Sequence, residues 1–95
     1  MLEIDYQSGG IVSKQIVKNA AGNVTLFAFD AGQGLTEHTS PFEALVTVLE
    51  GEAQVSIAGT AHTVAAGQLL ALPANIPHGV QAIQRFKMTL TMLKT

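Results

Sequence analysis

Alternating apolar and polar residues dominate the chain, and the clearest case lies in its last part. From 86 to 92 every even position is apolar and every odd position is Lys or Thr, the two-residue period of a strand with one buried face. The pair Ala58-Gly59 predicts a tight hairpin turn between two shorter segments of the same kind. The predicted strands are 24–29, 43–50, 53–57, 60–64, 69–72, about 79–83 and 86–92.

The spacing of these segments predicts an all-β domain. Gly or Pro separates them at intervals of about eight to twelve residues, and no window carries a helical apolar stripe longer than about two turns. The segments 44–49 and 69–72 are apolar at nearly every position, so they need cover on both faces. A closed sandwich or barrel would supply it, and so would a second subunit.

Composition narrows the functional classes. The 95 residues, 47% hydrophobic and 13% charged, suit one folded domain spanning 1–95. The net charge of -2 and the lack of a basic run argue against a nucleic-acid partner. Cysteine is absent, which excludes disulfides, thiolate catalysis and Cys-built metal sites. The acidic start and the short apolar runs predict no secretion signal and no membrane partner, hence a soluble, cytoplasmic protein.

Few side chains in the sequence can carry chemistry. Neither a phosphate-binding glycine loop nor a nucleophile-elbow serine is present. His38 and His78 each lie where a predicted strand meets a turn, the position at which a rigid scaffold commonly presents binding groups. His62 falls within a predicted strand and is expected to face solvent.

Two stretches of the sequence carry a family resemblance. The first, about 32–51, runs from Gly32 through His38 to Gly51, and the second, about 67–82, places Gly67, Pro73 and His78 at matching intervals. Both resemble the two motifs of small single-domain cupins, the cupin type 2 conserved barrel of the RmlC-like superfamily. The resemblance implies a jelly-roll β-sandwich or barrel and, as in other small cupins, a homodimer.

The same resemblance implies an incomplete metal site. Metal-binding cupins place two histidines and a glutamate from the first motif beside one histidine from the second. Aligned on Gly51, this chain has His38, Ser40 and Ala44 at the first three positions and His78 at the fourth. Two imidazoles rarely hold a divalent ion by themselves.

Glu43 is a possible third ligand, but strand alternation turns it away from the face of Ala44 unless a bulge intervenes. No cofactor is therefore expected, beyond at most a weakly bound divalent ion.

These observations leave three functions open, and they do not decide whether the protein is an enzyme. In the first, an interior pocket lined by His38, Ser40, Phe42, Ala44 and His78 binds a small organic molecule. In the second, His38 and His78 belong to a metal-dependent oxygenase or isomerase. In the third, the protein acts only through a subunit interface.

Overall fold

The computed structural model describes residues 3–94, and the elements in that range are all β-strands. The all-β prediction is therefore confirmed. Two strands that the pattern did not predict, β1 and β3, are also present, and β8 is shorter than expected. The strands are β1 (Ile11–Asn19), β2 (Gly22–Phe29), β3 (Gly34–His38), β4 (Glu43–Glu50), β5 (Glu52–Ile57), β6 (Thr60–Ala65), β7 (Leu69–Leu72), β8 (His78–Gln81) and β9 (Phe86–Leu93).

Two antiparallel sheets form a single sandwich. The first, here called sheet A, has the order β1-β2-β9-β4-β7, and the second, sheet B, has the order β3-β8-β5-β6. Strands distant in sequence are neighbours in both sheets, so the chain crosses repeatedly between them. This jelly-roll arrangement makes β3, which carries His38, and β8, which carries His78, neighbours in sheet B.

The core lies between the two sheets, as the alternation predicts. Val46 and Met88 of sheet A and Val55 of sheet B are fully buried in one cluster. The rings of Phe29 and Phe86, a cross-strand pair, stack with centroids 4.6 Å apart. At the other end of the same strands the inner face carries smaller or more polar side chains, so one end of the sandwich is better filled than the other.

Two turns need backbone conformations that most residues avoid. Ala58 and Gly59, between β5 and β6, both have positive φ angles, 50° and 82°, which is the pattern of the two-residue hairpin turn. Asn75, before β8, has a φ of 64°, a region that Asn tolerates better than most residues.

The N-terminal segment covers part of the outer face of sheet A. Ile4 is buried against Leu26 and Ala28, in a second, smaller apolar cluster. The Tyr6 hydroxyl donates a hydrogen bond of 2.5 Å to the carboxylate of Glu50. Partial burial of the Tyr6 hydroxyl and its hydrogen bond to Glu50 raise the pKa of Tyr6 well above its ordinary value. The segment is thus fixed to the sheet by both apolar and polar contacts.

Residues 3–94 leave another part of that outer face exposed. Leu49 of β4 and Leu69 of β7 are 52% and 60% exposed, while their strand neighbours Val48 and Leu70 point inward. The two-sided apolar pattern is therefore satisfied on the inner side only. Within residues 3–94 there is no helix of the length and hydropathy needed to cross a membrane.

Candidate functional site

A β-bulge in β3 decides which side chain faces the interior at the end of sheet B. Leu35 pairs with Val80, and the next aligned pair is His38 with His78. Three steps along β3 therefore match two along β8. The extra residue places His38 on the same face as Leu35, which packs against the core.

Glu37 is correspondingly turned to the outer face of sheet B. Its carboxylate accepts a hydrogen bond of 3.4 Å from the hydroxyl of Ser56, a residue between two inward-facing positions of β5. Gly79 lies opposite the bulge, where a Cβ would come within 3.2 Å of the Glu37 amide nitrogen and the Leu35 carbonyl. The bulge and the glycine fit one another.

The two histidines are brought into direct contact. Their ring centroids are 4.6 Å apart and their planes are inclined by 65°, an edge-to-face arrangement. His78 is 7% exposed, whereas His38 lies at the rim and is exposed. We call this open end of the sandwich, around the two rings, the histidine mouth.

Both imidazoles are oriented by their own backbone. Nδ1 of His38 is 2.9 Å from the carbonyl oxygen of Thr36, and Nδ1 of His78 is 3.2 Å from that of Ile76. A carbonyl oxygen only accepts, so each Nδ1 carries the proton and donates. Each Nε2 is then an acceptor in the neutral ring, and within residues 3–94 neither Nε2 has a hydrogen-bond partner.

Ser40 joins the two loops beside the histidines. Its carbonyl accepts a 2.7 Å hydrogen bond from the backbone N–H of Asn75. Its hydroxyl oxygen accepts one of 3.2 Å from the N–H of Phe42, which stabilises the turn before β4. The left-handed backbone of Asn75 directs its N–H towards Ser40, and β8 begins three residues later at His78. Ser40 is itself buried, at 9% exposure.

The side chains at the remaining motif positions do not fit the metal set that the resemblance implies. Ala44 is buried on the inner face and has no donor atom, while Glu43 is exposed and pairs with Leu93 on the other face. The bulge of β4 lies beyond Val48 and leaves this register unchanged. In the range 3–94 no three His, Asp or Glu side chains are grouped as a metal site requires.

Lys94, which contacts Phe42, is a residue that the sequence analysis did not single out. Phe42 is half-buried, two positions before the inward-facing Ala44, and the Lys94 ammonium lies 5.8 Å from the centroid of its ring. Lys94 follows the end of β9, in which Leu90 and Met92 alternate inward, and is itself exposed. That alternation was visible in the sequence, but the meeting of Lys94 with Phe42 depends on the pairing of β9 with β4.

A groove of about 530 Å³ lies elsewhere on the surface. Its walls include Gln54, Thr63 and the exposed Ile83. Glu52 and Ala65 also line it, and they pair at the first residue of β5. His78 pairs with Ile57, the last residue of the same strand. The groove and the histidine mouth are thus separate features.

Known proteins share this architecture. A conserved protein of unknown function from Streptococcus pyogenes is 35% identical, with a TM-score of 0.89 over 94% of this chain and 78% of that one. A cupin 2 conserved barrel domain protein from Leptotrichia buccalis is 41% identical, with a TM-score of 0.92 over 96% of this chain. This chain spans only 44% of that protein's length.

More distant structures share the fold alone. A cupin superfamily protein from Desulfitobacterium hafniense is 23% identical, with a TM-score of 0.92 over 97% of this chain and 84% of that chain. No curated protein matches the sequence. The cupin domain family matches residues 25–93, which contain both motifs and the histidine pair. The sandwich and the sequence agree, and the chain belongs to the cupin domain family.

Proposed function

We propose that this protein binds a small organic molecule at the histidine mouth and does so without a metal ion. The observation that carries the proposal is the state of the two imidazoles. Both are fixed through Nδ1, and both leave Nε2 free to accept a hydrogen bond beside one another. Fixed polar groups within an otherwise apolar site are what orient a small ligand.

The surroundings of the pair support binding over a purely structural role. Among the described residues no buried side-chain nitrogen or oxygen lacks a hydrogen-bond partner, so the unpaired Nε2 of the largely buried His78 is accessible to a ligand from outside. On the sheet A side, Ala44 and the half-buried Met92 belong to the apolar core cluster, and Phe42 is half-buried two positions before Ala44. A ligand therefore finds both polar and apolar partners at this end.

The test is a fragment screen read at the imidazoles by nuclear magnetic resonance. Uniformly ¹⁵N-labelled protein, with a chelator present, is mixed with neutral, anionic and cationic fragments at millimolar concentration. We expect at least one fragment to shift the Nε2 signals of both His38 and His78 saturably. The exposed His62 of β6 gives an internal reference in the same spectra.

Two variants make the screen decisive. His38→Ala should abolish the fragment-induced shift at His78, and the matched change His62→Ala should leave it intact. A library in which no fragment shifts His38 or His78 would contradict the proposal, as would undiminished binding by His38→Ala.

A further inference from the structure

The charged side chains around the histidine mouth point to one class of ligand. We infer that the molecule bound there is a small hydroxycarboxylate, whose carboxylate pairs with Lys94 and whose hydroxyl donates to one of the two imidazoles. This inference rests on the proposed function, because it specifies the ligand of the same site. Three observations carry it: the position of Lys94, the outward orientation of Glu37 and Glu43, and the acceptor character of the Nε2 atoms.

Lys94 places a cation beside Phe42, in the turn that Ser40 stabilises before β4. Its ammonium lies over the Phe42 ring at 5.8 Å from the centroid, and its backbone N–H donates to the carbonyl of Ala21 at 2.8 Å. The backbone contact fixes the root of the side chain. Since its ammonium has no carboxylate partner within residues 3–94, it is available to an anionic ligand.

Lys18 of β1 lies in the same cross-strand row of sheet A as three inward-facing residues. Lys18, Asn23, Met92, Ala44 and Leu72 are paired in turn across the five strands, and Met92, Ala44 and Leu72 belong to the core side. Paired residues point to the same face of a sheet, so Lys18 and Asn23 share it. Three strand spacings separate Lys18 from Ala44, about 14 Å.

The carboxylates nearest the mouth point away from it. Glu37 is turned to the outer face of sheet B, where Ser56 donates to it. Glu43 is exposed on the outer face of sheet A. Although the chain has a net charge of -2, these two carboxylates are turned outward. Their orientation favours an anionic ligand at the mouth.

The imidazoles require a further group on the ligand. Each Nδ1 donates to a backbone carbonyl, so in the neutral rings the two Nε2 atoms can only accept. A bare carboxylate offers them no proton, whereas a hydroxyl does. A ligand with both groups can pair its carboxylate with Lys94 and donate its hydroxyl proton to one of the two Nε2 atoms.

Three probes separate these contributions: 2-hydroxyhexanoate has both groups, hexanoate has the carboxylate alone, and 1,2-hexanediol has hydroxyls alone. Titration calorimetry and the imidazole ¹⁵N signals are recorded for each, with a chelator present. We expect 2-hydroxyhexanoate to bind at least about tenfold more tightly than either of the others. Hexanoate lacks the hydroxyl hydrogen bond to the imidazole, and 1,2-hexanediol lacks the charge-assisted hydrogen bond to Lys94.

A pair of lysine variants tests the role of the cation. Lys94→Met should weaken 2-hydroxyhexanoate and hexanoate by about tenfold and leave 1,2-hexanediol unchanged. Lys14→Met removes the same charge from the outer face, where Lys14 pairs with Leu26, and should change none of the three. Equal thermal midpoints for the two variants and the parent protein show that the fold is intact.

The outcomes distinguish this inference from the function on which it rests. If 1,2-hexanediol binds as tightly as 2-hydroxyhexanoate, or if Lys94→Met binds the acids like the parent protein, the inference is wrong and the binding site stands. If all three probes leave the imidazole signals unmoved while a neutral or cationic fragment shifts them, the inference is also wrong. If no fragment of any class shifts them, both fail.

Discussion

At the residue scale, the histidine mouth depends on hydrogen bonds that each histidine makes two residues back along its own chain. The Thr36 and Ile76 carbonyls hold Nδ1 of His38 and His78, so both rings keep one nitrogen free whatever lies beside them. This is how imidazoles are oriented in metal sites too. Ser40 and Ala44 are what separate this chain from such a site, because neither supplies an ionised or imidazole donor.

Restoring the missing donors should create metal binding. We expect the double change Ser40→His with Ala44→Glu to raise affinity for Zn²⁺ by several orders of magnitude, since two added donors complete a four-ligand set with His38 and His78. Isothermal titration with Zn²⁺ measures it.

The control for the metal prediction is Glu43→Ala, which removes an exposed carboxylate from the other face of β4. It should leave the weak affinity of the parent protein unchanged. Tight binding of one ion per chain by the unaltered protein, lost in Glu43→Ala, would show that Glu43 reaches the mouth.

Asp30 provides a pH-dependent contribution to stability away from the mouth. Its carboxylate accepts hydrogen bonds from Arg85 Nε at 2.7 Å and from the Gly9 N–H at 2.6 Å, and these contacts lower its pKa from 3.8 to about 2. The charged form is therefore favoured in the folded state. The resulting stability is complete above about pH 4 and is lost as the pH falls towards 2.

Asp30→Asn tests this contribution. The difference in unfolding free energy between the parent and Asp30→Asn should be largest above about pH 5 and should shrink towards pH 2. Urea unfolding at a series of pH values measures it. A difference independent of pH would contradict the assignment, and Glu52→Gln, which changes an exposed carboxylate, controls for net charge.

At the element scale, β3 and the hairpin of β5 and β6 show two ways in which backbone geometry controls side chains. In β3 the bulge turns His38 inward and Glu37 outward. In the hairpin, Ala58 adopts a φ of 50°, which an Ala side chain disfavours because its Cβ approaches the following carbonyl. The hairpin therefore carries a cost that another residue would reduce.

Ala58→Asn should stabilise the protein. Asn-Gly is the preferred sequence for this two-residue turn, and relief of part of the left-handed cost should add about 0.5–1 kcal/mol to the unfolding free energy. The thermal midpoint should rise by about 2–8 °C. Ala61→Asn, in the adjoining strand β6, is the control and should not stabilise. An unchanged or lower midpoint for Ala58→Asn would contradict the prediction.

At the scale of the whole molecule, the outer face of sheet A remains to be accounted for. The N-terminal segment covers Leu26 and Ala28, but Leu45 is half-buried and Leu49 and Leu69 are largely exposed beyond it. Thr47 and Thr89 lie between them in register, so the patch carries little charge. We propose that a second copy of the chain covers it, because an exposed apolar patch can pair with the same patch of a second copy about a two-fold axis.

This proposal predicts a homodimer in solution. The protein should sediment as a dimer at micromolar concentration, and Leu69→Lys, which places a charge in the patch, should weaken association by more than about tenfold. Ile83→Lys is the matched control, because Ile83 is 68% exposed in the loop between β8 and β9, away from this face. A monomer throughout the micromolar range would contradict the proposal, as would equal effects of the two lysines.

The sequence by itself determined most of the strands and the inward face of β9, but not β1 or β3. The strict alternation of 86–92 predicted the inward face of β9, and Ala58-Gly59 predicted the hairpin, because strand period and turn geometry are local properties of the chain. The two motifs identified the cupin fold and brought His38 and His78 forward as partners. In each case the decisive information lies within a few consecutive residues.

Only the tertiary structure decided how these residues meet. Alternation counted from Leu35 would have turned Glu37 inward, and the bulge opposite Gly79 instead turns His38 inward. Lys94 lies over Phe42 because β9 pairs with β4 in one register, and Tyr6 contacts Glu50 across 44 positions of sequence. Such contacts depend on long-range pairing and on a one-residue irregularity. Both result from the packing of the two sheets on one another, which no local pattern encodes.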